Sequence, residues 1–578
     1  MDDKLFWKDA VYAALAGLAA EMAEQPVINK DAVIAEIPPD PQMGDLGFPM
    51  FPFAKIFRKA PPAIATLVAG KLAAGAASSL GPYVNIRFDR AAVARRVLDA
   101  VLNSPDNFCT ADALKGSRVM VEFSSPNTNK PLHLGHLRND ALGESIARIL
   151  AAAGAEVRKV CIINDRGIHI CKSMLAYKEC GNSATPESAR VKSDRFVGDY
   201  YVRFTKLSQE DSGAEERAQE LLRKWEAGDE ETVTLWKKMN DWTVRGMKET
   251  YVRTGISFDQ YYFESETYRK GKDEVLKGLE QGLWTREEDG SVQADLTADG
   301  LDKKVLLRKD GTSLYITQDF GTAILRHHDW PFDRLVYVVG SEQRYHFQVL
   351  FLLLDKMGFE WARNLYHLSY GMVNLPEGRM KSREGTVVDA DDLINELRDM
   401  ALEEIRGKER EEIVGDAMET AEKIALGALH YYLLQITPER DMLFNPQESL
   451  SFTGNTGPYL QYMGARISSI LRRDEAAAAR TVPLNAALLG SDEEWELIKM
   501  ISQYPQAVES AAREMNPSLI TAWLYELSKN FSRFYHAAPV LTAPNPELAR
   551  ARLALCEAVL AVLRRALNLV CIPFLESM

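Results

Sequence analysis

Little in this chain points to an oxidised, exported or membrane-bound protein. Its six cysteines (Cys109, Cys161, Cys171, Cys180, Cys556, Cys571) include no Cys-x-x-Cys pair, so neither a zinc knuckle nor a disulfide framework is expected, and a reducing cytoplasm fits. No apolar run approaches the length of a bilayer-spanning helix, and the opening MDDKLFWKDA is acidic rather than basic and then apolar. Positive charge is in deficit: the formal net charge is −13. Bulk attraction to polyanions is thereby excluded, although an acidic protein can still carry a local basic groove for RNA. Internal repeats and low-complexity segments are absent. What remains is an ordinary globular composition, 46% hydrophobic and 26% charged over 578 residues, too long for a single core and sufficient for two to four domains.

The densest stretch is Val121–Leu150, VEFSSPNTNKPLHLGHLRNDALGESIARIL. Val119–Phe123 reads as a short buried strand. Leu137, Ala141, Leu142, Ile146, Ile149 and Leu150 recur at helical spacing before a stop at Gly154. Between them, His133-Leu-Gly-His136 sits at a helix N-terminus, where free backbone N–H groups and the helix dipole favour an anion. Gly135 removes a side chain from the approach. Two imidazoles there suit a phosphorus-centred reaction, each donating to oxygens that gain charge in the transition state. They could also form a metal pair, but no third ligand follows at the spacing of an HExxH motif.

Strand, polar Pro-Asn loop, HxGH and amphipathic helix, in that order, resemble the HIGH signature of class I aminoacyl-tRNA synthetases. Glu122-Phe-Ser-Ser-Pro-Asn127 with Lys130-Pro-Leu-His-Leu-Gly-His136 most resembles the arginyl family. Further segments extend the resemblance to nearly the whole chain. Gly378-Arg379-Met380-Lys381-Ser382-Arg383 resembles the family's KMSKS loop, with Arg379 for its first lysine and Ser382 for its second. Arg308-Lys-Asp-Gly-Thr-Ser-Leu-Tyr315-Ile-Thr-Gln-Asp319 resembles the segment whose tyrosine and aspartate contact arginine, and Gly340-Ser-Glu-Gln343 the end of the central strand. Ser451–Ile467 resembles the opening of the anticodon-binding domain.

The resemblance implies a Rossmann-like, doubly wound parallel-sheet α/β catalytic domain at 113–415 with an insertion at about 175–300. A small α+β additional domain at 1–112 precedes it, and an all-α helical bundle at 416–578 follows. The residues agree in outline. Apolar runs place strands at Val157–Ile163, Leu335–Gly340 and Tyr366–Val373, and one near Tyr83–Phe88 after a helix around Lys55–Ala74. Charged helices are expected at Glu215–Glu226 and Glu231–Arg253. The tail reads as helices at Glu419–Gln435, Tyr459–Arg473, Glu493–Arg513, Ser518–Ala537 and Pro546–Leu569.

The implied reaction joins L-arginine to tRNA-Arg through an arginyl-adenylate made from ATP, with bound tRNA needed for activation. Glu122, Ser125, Asn127, His136, Tyr315, Asp319 and Gln343 are the implied arginine contacts. A guanidinium with five donors demands carboxylates and planar acceptors in a fixed arrangement. His133, Gly135, His136, Gly340, His346 and Met380 are assigned to ATP. The catalytic set is His133, His136, Lys130, Arg379, Lys381 and Arg383, with Lys130 supplying the charge that Ser382 cannot. Magnesium is expected on the triphosphate, held by phosphates and water, with no zinc, no other protein-held metal and no organic cofactor. For tRNA, Asn85 and Phe88 are candidate D-loop contacts, and Met578 reaches the anticodon site. Tyr459, Tyr462 and Arg466 form a stacking row on one helix face. A cytoplasmic monomer without DNA or membrane partners is expected. Two rivals stay open: an HxGH nucleotidylyltransferase, and a noncatalytic RNA-binding relative.

Overall fold

The computed structural model describes residues 3–72, 75–376 and 388–578. The first unit is a three-stranded antiparallel sheet of β1 (Leu46–Pro49), β2 (Ala77–Leu80) and β3 (Tyr83–Ile86), with β3 central. The helices Asp3–Ala20 and Pro61–Lys71 complete it. Its core is its own: Val11, Leu15, Phe48, Phe53, Ile64 and Val84 are all buried.

The central sheet has five parallel strands. Chain order gives β4 (Arg118–Glu122), β5 (Glu156–Ile163) and β6 (Gln260–Phe263); then a small antiparallel sheet of β7 (Thr285–Arg286), β8 (Val292–Ala294) and β9 (Lys304–Leu307); then β10 (Arg334–Gly340) and β11 (Leu365–Tyr370). Across the sheet the order is β11-β10-β4-β5-β6, every pair parallel. The chain winds outward from β4 in one direction and from β10 in the other, so these neighbours frame the switch point where a doubly wound sheet opens a crevice at its carboxyl edge. β6 lies within the stretch 175–300 read as an insertion, so the sheet continues through it.

Side-chain alternation along β4 sends Val119 and Val121 to one face and Met120 to the other. Met120 packs with Leu335, Tyr337 and Phe320, beneath the helices Glu264–Glu280 and Tyr315–Asp329. Those two helices cross at glycine: a Cβ on Gly271 would lie 1.8 Å from the Thr317 carbonyl oxygen. Val119 and Val121 share a single apolar core with the helix Leu134–Ala152 and with the C-terminal bundle, including Leu429, Leu460, Ile498 and Leu563.

The bundle contains Ala417–Leu434, Gly457–Leu471, Asp492–Ser502, Tyr504–Glu514, Ser518–Ala537 and Pro546–Leu569. The sequence reads Glu493–Arg513 as one helix, but the chain breaks it at Gln503. Pro505 has no N–H to donate, and its ring would clash with the carbonyl four residues back, so a new helix starts with proline in its first turn. A two-residue parallel pair, β12 (Val373–Asn374) with β13 (Met442–Leu443), stitches the catalytic half to the bundle. Among the described residues no helix is long and apolar enough to cross a membrane.

Candidate active site

Phe123 follows β4, and the chain then turns through Ser124 (φ +73°) and Ser125 (φ +48°), two non-glycine residues in the left-handed region. Such strain persists where surroundings over-determine it. Here Ser124 N donates to Asn139 Oδ1 (2.6 Å), the Ser124 hydroxyl pairs with Tyr251 (2.7 Å), and Ser125 Oγ donates to Glu122 Oε1 (3.2 Å). The turn thus holds Ser125 and the exposed Asn127 at the mouth of the crevice.

The helix Leu134–Ala152 begins at the HLGH turn with His133 as its N-cap. Gly135 N donates to His133 Nδ1 (3.1 Å) and His133 N donates to His136 Nδ1 (3.2 Å), and the rings lie 3.9 Å apart. With both Nδ1 atoms accepting, both neutral rings carry their proton on Nε2. Burial, then the nearby Lys130 charge, pushes His133 down to about 4. Burial, then His133 and Lys130, holds His136 well below the ordinary range. The turn therefore offers two neutral donors beside a cationic lysine, itself lowered by burial. The segment after the KMSKS-like loop is strapped to the same turn: Leu134 N donates to Val388 O (3.1 Å) and Ala390 N to Leu132 O (2.9 Å). Arg379, Met380, Lys381, Ser382 and Arg383 lie outside the described residues.

Acidic groups converge on the other side of the crevice. Arg326, fully buried, donates to Glu122 Oε2. Burial raises the Glu122 carboxyl, the Arg326 charge opposes that rise, and Asp319 adds to it. Asp319 lies in the second turn of the helix that the exposed Tyr315 starts, with its carboxylate 2.6 Å from His346 Nε2. Glu264, which sequence reasoning did not single out, follows β6 directly. Burial raises its carboxyl to about 7, the Arg166 charge lowers it, and Asp165 and Asp319 raise it further. Gln318, in the orientation that satisfies both ends of its amide, donates to Glu264 (2.9 Å) and accepts from Arg166 (3.1 Å). No motif marks Glu264: its one cue is a carboxylate directly after a short aromatic strand.

The structure thus groups Glu122, Ser125, Asp319 and His346 about the end of β4 and the helix Tyr315–Asp329, and His133, Gly135, His136 and Lys130 at the HLGH turn that follows the same strand. Gly340 closes β10, where a Cβ would meet the Glu342 carboxylate at 2.4 Å, and exposed Gln343 follows it. The remaining candidates lie elsewhere. Tyr459 faces Tyr525 at 6.1 Å. Arg466 donates to the Tyr462 hydroxyl (2.7 Å) and lies over the Tyr462 and Tyr535 rings at 4.7 and 5.2 Å. Met578 accepts from Arg410 (2.9 Å) and lines a cavity of about 220 Å³ with Tyr462 and Phe452. Asn85 is only 5% exposed within β3, and Phe88 is half-buried, edge-on to Trp495 at 6.3 Å.

The parallel order and the HLGH turn at its switch point define a class I aminoacyl-tRNA synthetase. Residues 98–445 match the family "tRNA synthetases class I (R), catalytic domain", 460–578 the DALR anticodon binding domain, and 6–88 the arginyl tRNA synthetase N-terminal domain. The chain is 58% identical to an arginine–tRNA ligase of Treponema denticola, covering 100% of both chains. It is 53% identical to that of Treponema pallidum, covering 99% of each. The arginyl-tRNA synthetase structure of Thermus thermophilus superposes with a TM-score of 0.81 at 27% identity, covering 100% of both. This chain belongs to the arginyl-tRNA synthetase family.

Proposed function

We propose that the chain ligates L-arginine to tRNA-Arg. The arginine carboxylate attacks the α-phosphorus of ATP and pyrophosphate leaves. The 2′-hydroxyl of the terminal adenosine then attacks the acyl carbon of the adenylate and AMP leaves. The observation that carries this reading is the pair of neutral Nε2–H imidazoles at the HLGH helix N-terminus. They donate to phosphate oxygens as charge develops, with little reorganisation. No strong general base is needed, because positioning does most of the work in transfer from an adenylate.

In this reading Asp319 and Glu264 face the guanidinium, Tyr315 covers it, and Ser125, Asn127 and Gln343 orient the α-amino and α-carboxylate groups. Glu122, whose oxygens serve Arg326 and Ser125, acts by holding the turn. His133, Gly135 and His136 meet the phosphates, Gly340, His346 and Met380 the adenosine, and Lys130, Arg379, Lys381 and Arg383 the departing pyrophosphate. Among the described residues no group of three or more His, Cys, Asp or Glu stands ready for a metal. Magnesium would come with the triphosphate, held by phosphates and water, and neutralise its charge. Tyr459, Tyr462, Arg466 and Met578 form the anticodon face. The protein works as a cytoplasmic monomer.

The test is a charging assay with purified tRNA-Arg. AMP release that requires both arginine and tRNA is expected. Nucleotidyl transfer without arginine would favour the nucleotidylyltransferase rival, and RNA binding without any turnover the noncatalytic one.

A further inference from the structure

Arg138 lies two residues beyond His136 on the HLGH helix, and none of its surface is exposed. A buried guanidinium ordinarily finds a carboxylate, because desolvating a charge is costly. This one spends its hydrogen bonds on main-chain carbonyls instead: Met372 O (2.9 Å), Pro438 O (3.1 Å) and Arg440 O (2.7 Å). The first belongs to the exit of β11, and the other two to the turn that leads from the helix Ala417–Leu434 toward the helix carrying Tyr459, Tyr462 and Arg466.

The same junction is tight in other ways. Gly371 N donates to Pro438 O (2.9 Å), and a Cβ on Gly371 would lie 2.5 Å from the backbone between Arg440 and Asp441. Met372 N donates to Asp441 Oδ1 (2.6 Å), and β12 pairs with β13 immediately beyond. On the crevice side the adjacent Asn139 donates to Val338 O (2.8 Å) and the Tyr370 hydroxyl (3.0 Å) while accepting from Ser124 N. Two consecutive side chains of one helix therefore fix the strained serine turn and the entrance to the bundle together. A planar fork of donors reaching three carbonyls specifies one register, which an apolar side chain of equal volume would not.

We propose that Arg138 is a positioning residue that registers the HLGH helix against the entrance to the helical bundle, so that RNA seated on the bundle is sensed at the site of adenylate formation. The inference rests on the reading of the bundle as the tRNA-binding face. Its test compares Arg138→Met and Arg138→Lys with the unaltered protein and with Ser145→Ala. Ser145 lies on the same helix and donates to Leu569 O (2.7 Å), so its variant removes a bundle contact without touching the junction. Arginine charging of tRNA-Arg, tRNA affinity, the KM for ATP and the melting temperature are measured for each. In Arg138→Met, kcat is expected to fall by about 10-fold to 100-fold, the scale set by slight misplacement of reacting groups. Melting temperature should fall, because Arg440 O loses the guanidinium while Met372 O and Pro438 O keep the main-chain donors Met442 N and Gly371 N; tRNA affinity and the KM for ATP, measured below the transition, should stay near those of the unaltered protein. Arg138→Lys, whose ammonium cannot span all three carbonyls, should be intermediate, and Ser145→Ala unchanged. Unchanged kcat in Arg138→Met overturns the proposal, as does a fall in kcat matched by an equal-fold loss of tRNA affinity. If the methionine variant does not fold, unchanged kcat in Arg138→Lys overturns it. Unaltered protein that binds no tRNA would instead overturn the reading of the bundle, and this inference with it.

Discussion

Glu122 and Arg326 form an ion pair sealed between the carboxyl end of β4 and the helix Tyr315–Asp329, at side-chain exposures of 8% and 2%. The pair joins the strained serine turn, through Ser125 Oγ on the other Glu122 oxygen, to the helix that carries Asp319. Removing one partner would leave the other charge buried and uncompensated, at a cost of about 3–5 kcal/mol. Arg326→Met is therefore expected to lower the melting temperature sharply and to raise the KM for arginine. Glu122→Gln, which keeps an acceptor for Ser125, should show the kinetic effect with a smaller loss of stability. Thermal melts and arginine-dependent pyrophosphate exchange on both variants check this. A normal melting temperature in Arg326→Met would count against the pair as a structural link.

The HLGH imidazoles are neutral donors in the folded protein, so protonation should weaken their turn. With His133 pushed down to about 4 and His136 also depressed in the free protein, kcat/KM for ATP should be level from pH 8 to about 5 and decline toward 4. Stability has a matching sign. A histidine near 6.5 when unfolded and depressed when folded takes up its proton first in the unfolded chain, so its contribution is present above 6.5 and lost as pH falls toward 4. His430, fully buried against Cys571 O (2.6 Å) and also pushed down to about 4, isolates this effect away from the crevice. The melting temperature of unaltered protein minus that of His430→Gln should therefore shrink between pH 6.5 and 4. A constant difference would refute the assignment.

Glu264 supplies an opposite pH dependence. Its carboxyl, raised to about 7 by burial and neighbouring acids, must be ionised to attract a guanidinium. In the free protein, kcat/KM for arginine should therefore rise as pH increases through about 7, while the KM for ATP stays flat. Glu264→Gln should lose that rise and bind arginine more weakly at pH 8, by about 1.5–3 kcal/mol, the range for a hydrogen bond to a charged group. Pyrophosphate exchange at subsaturating arginine measures it, and an identical pH profile in the variant would remove Glu264 from the site.

The sequence revealed elements whose pattern is local. Leu335–Gly340 is an unbroken apolar run and forms the strand Arg334–Gly340 buried beside β4. The HLGH turn is legible because strand, glycine and helix signals fall within thirty residues. β6 escaped because Gln260–Phe263 is a four-residue edge strand with one fully buried side chain, Tyr262, too short for alternation to show. Glu264 was missed with it. The Glu122–Arg326 pair spans 204 positions, and Arg138 reaches carbonyls about 300 positions away, so neither partnership leaves a trace in local spacing. The break at Gln503 was readable from Pro505; the helical periodicity on either side masked it.

Lys130 gives the last prediction. Its ammonium is close enough to the two imidazoles to lower both, and its own pKa is lowered by burial, so it stands half-buried beside the HLGH turn. A cation there is worth most when charge moves onto the departing pyrophosphate, and little in ground-state binding of arginine. Lys130→Ala should therefore lower kcat for pyrophosphate exchange by about 10²-fold to 10³-fold, the scale for losing one preorganised electrostatic contact, with the KM for arginine nearly unchanged. Transfer from preformed arginyl-adenylate to tRNA, which releases AMP rather than pyrophosphate, should be much less affected. Because the neighbouring charge also depresses His133, the same substitution should move the acid limb of the remaining activity to higher pH. Single-turnover measurements of the two steps separate these effects. Equal slowing of activation and transfer would show that Lys130 only shapes the turn.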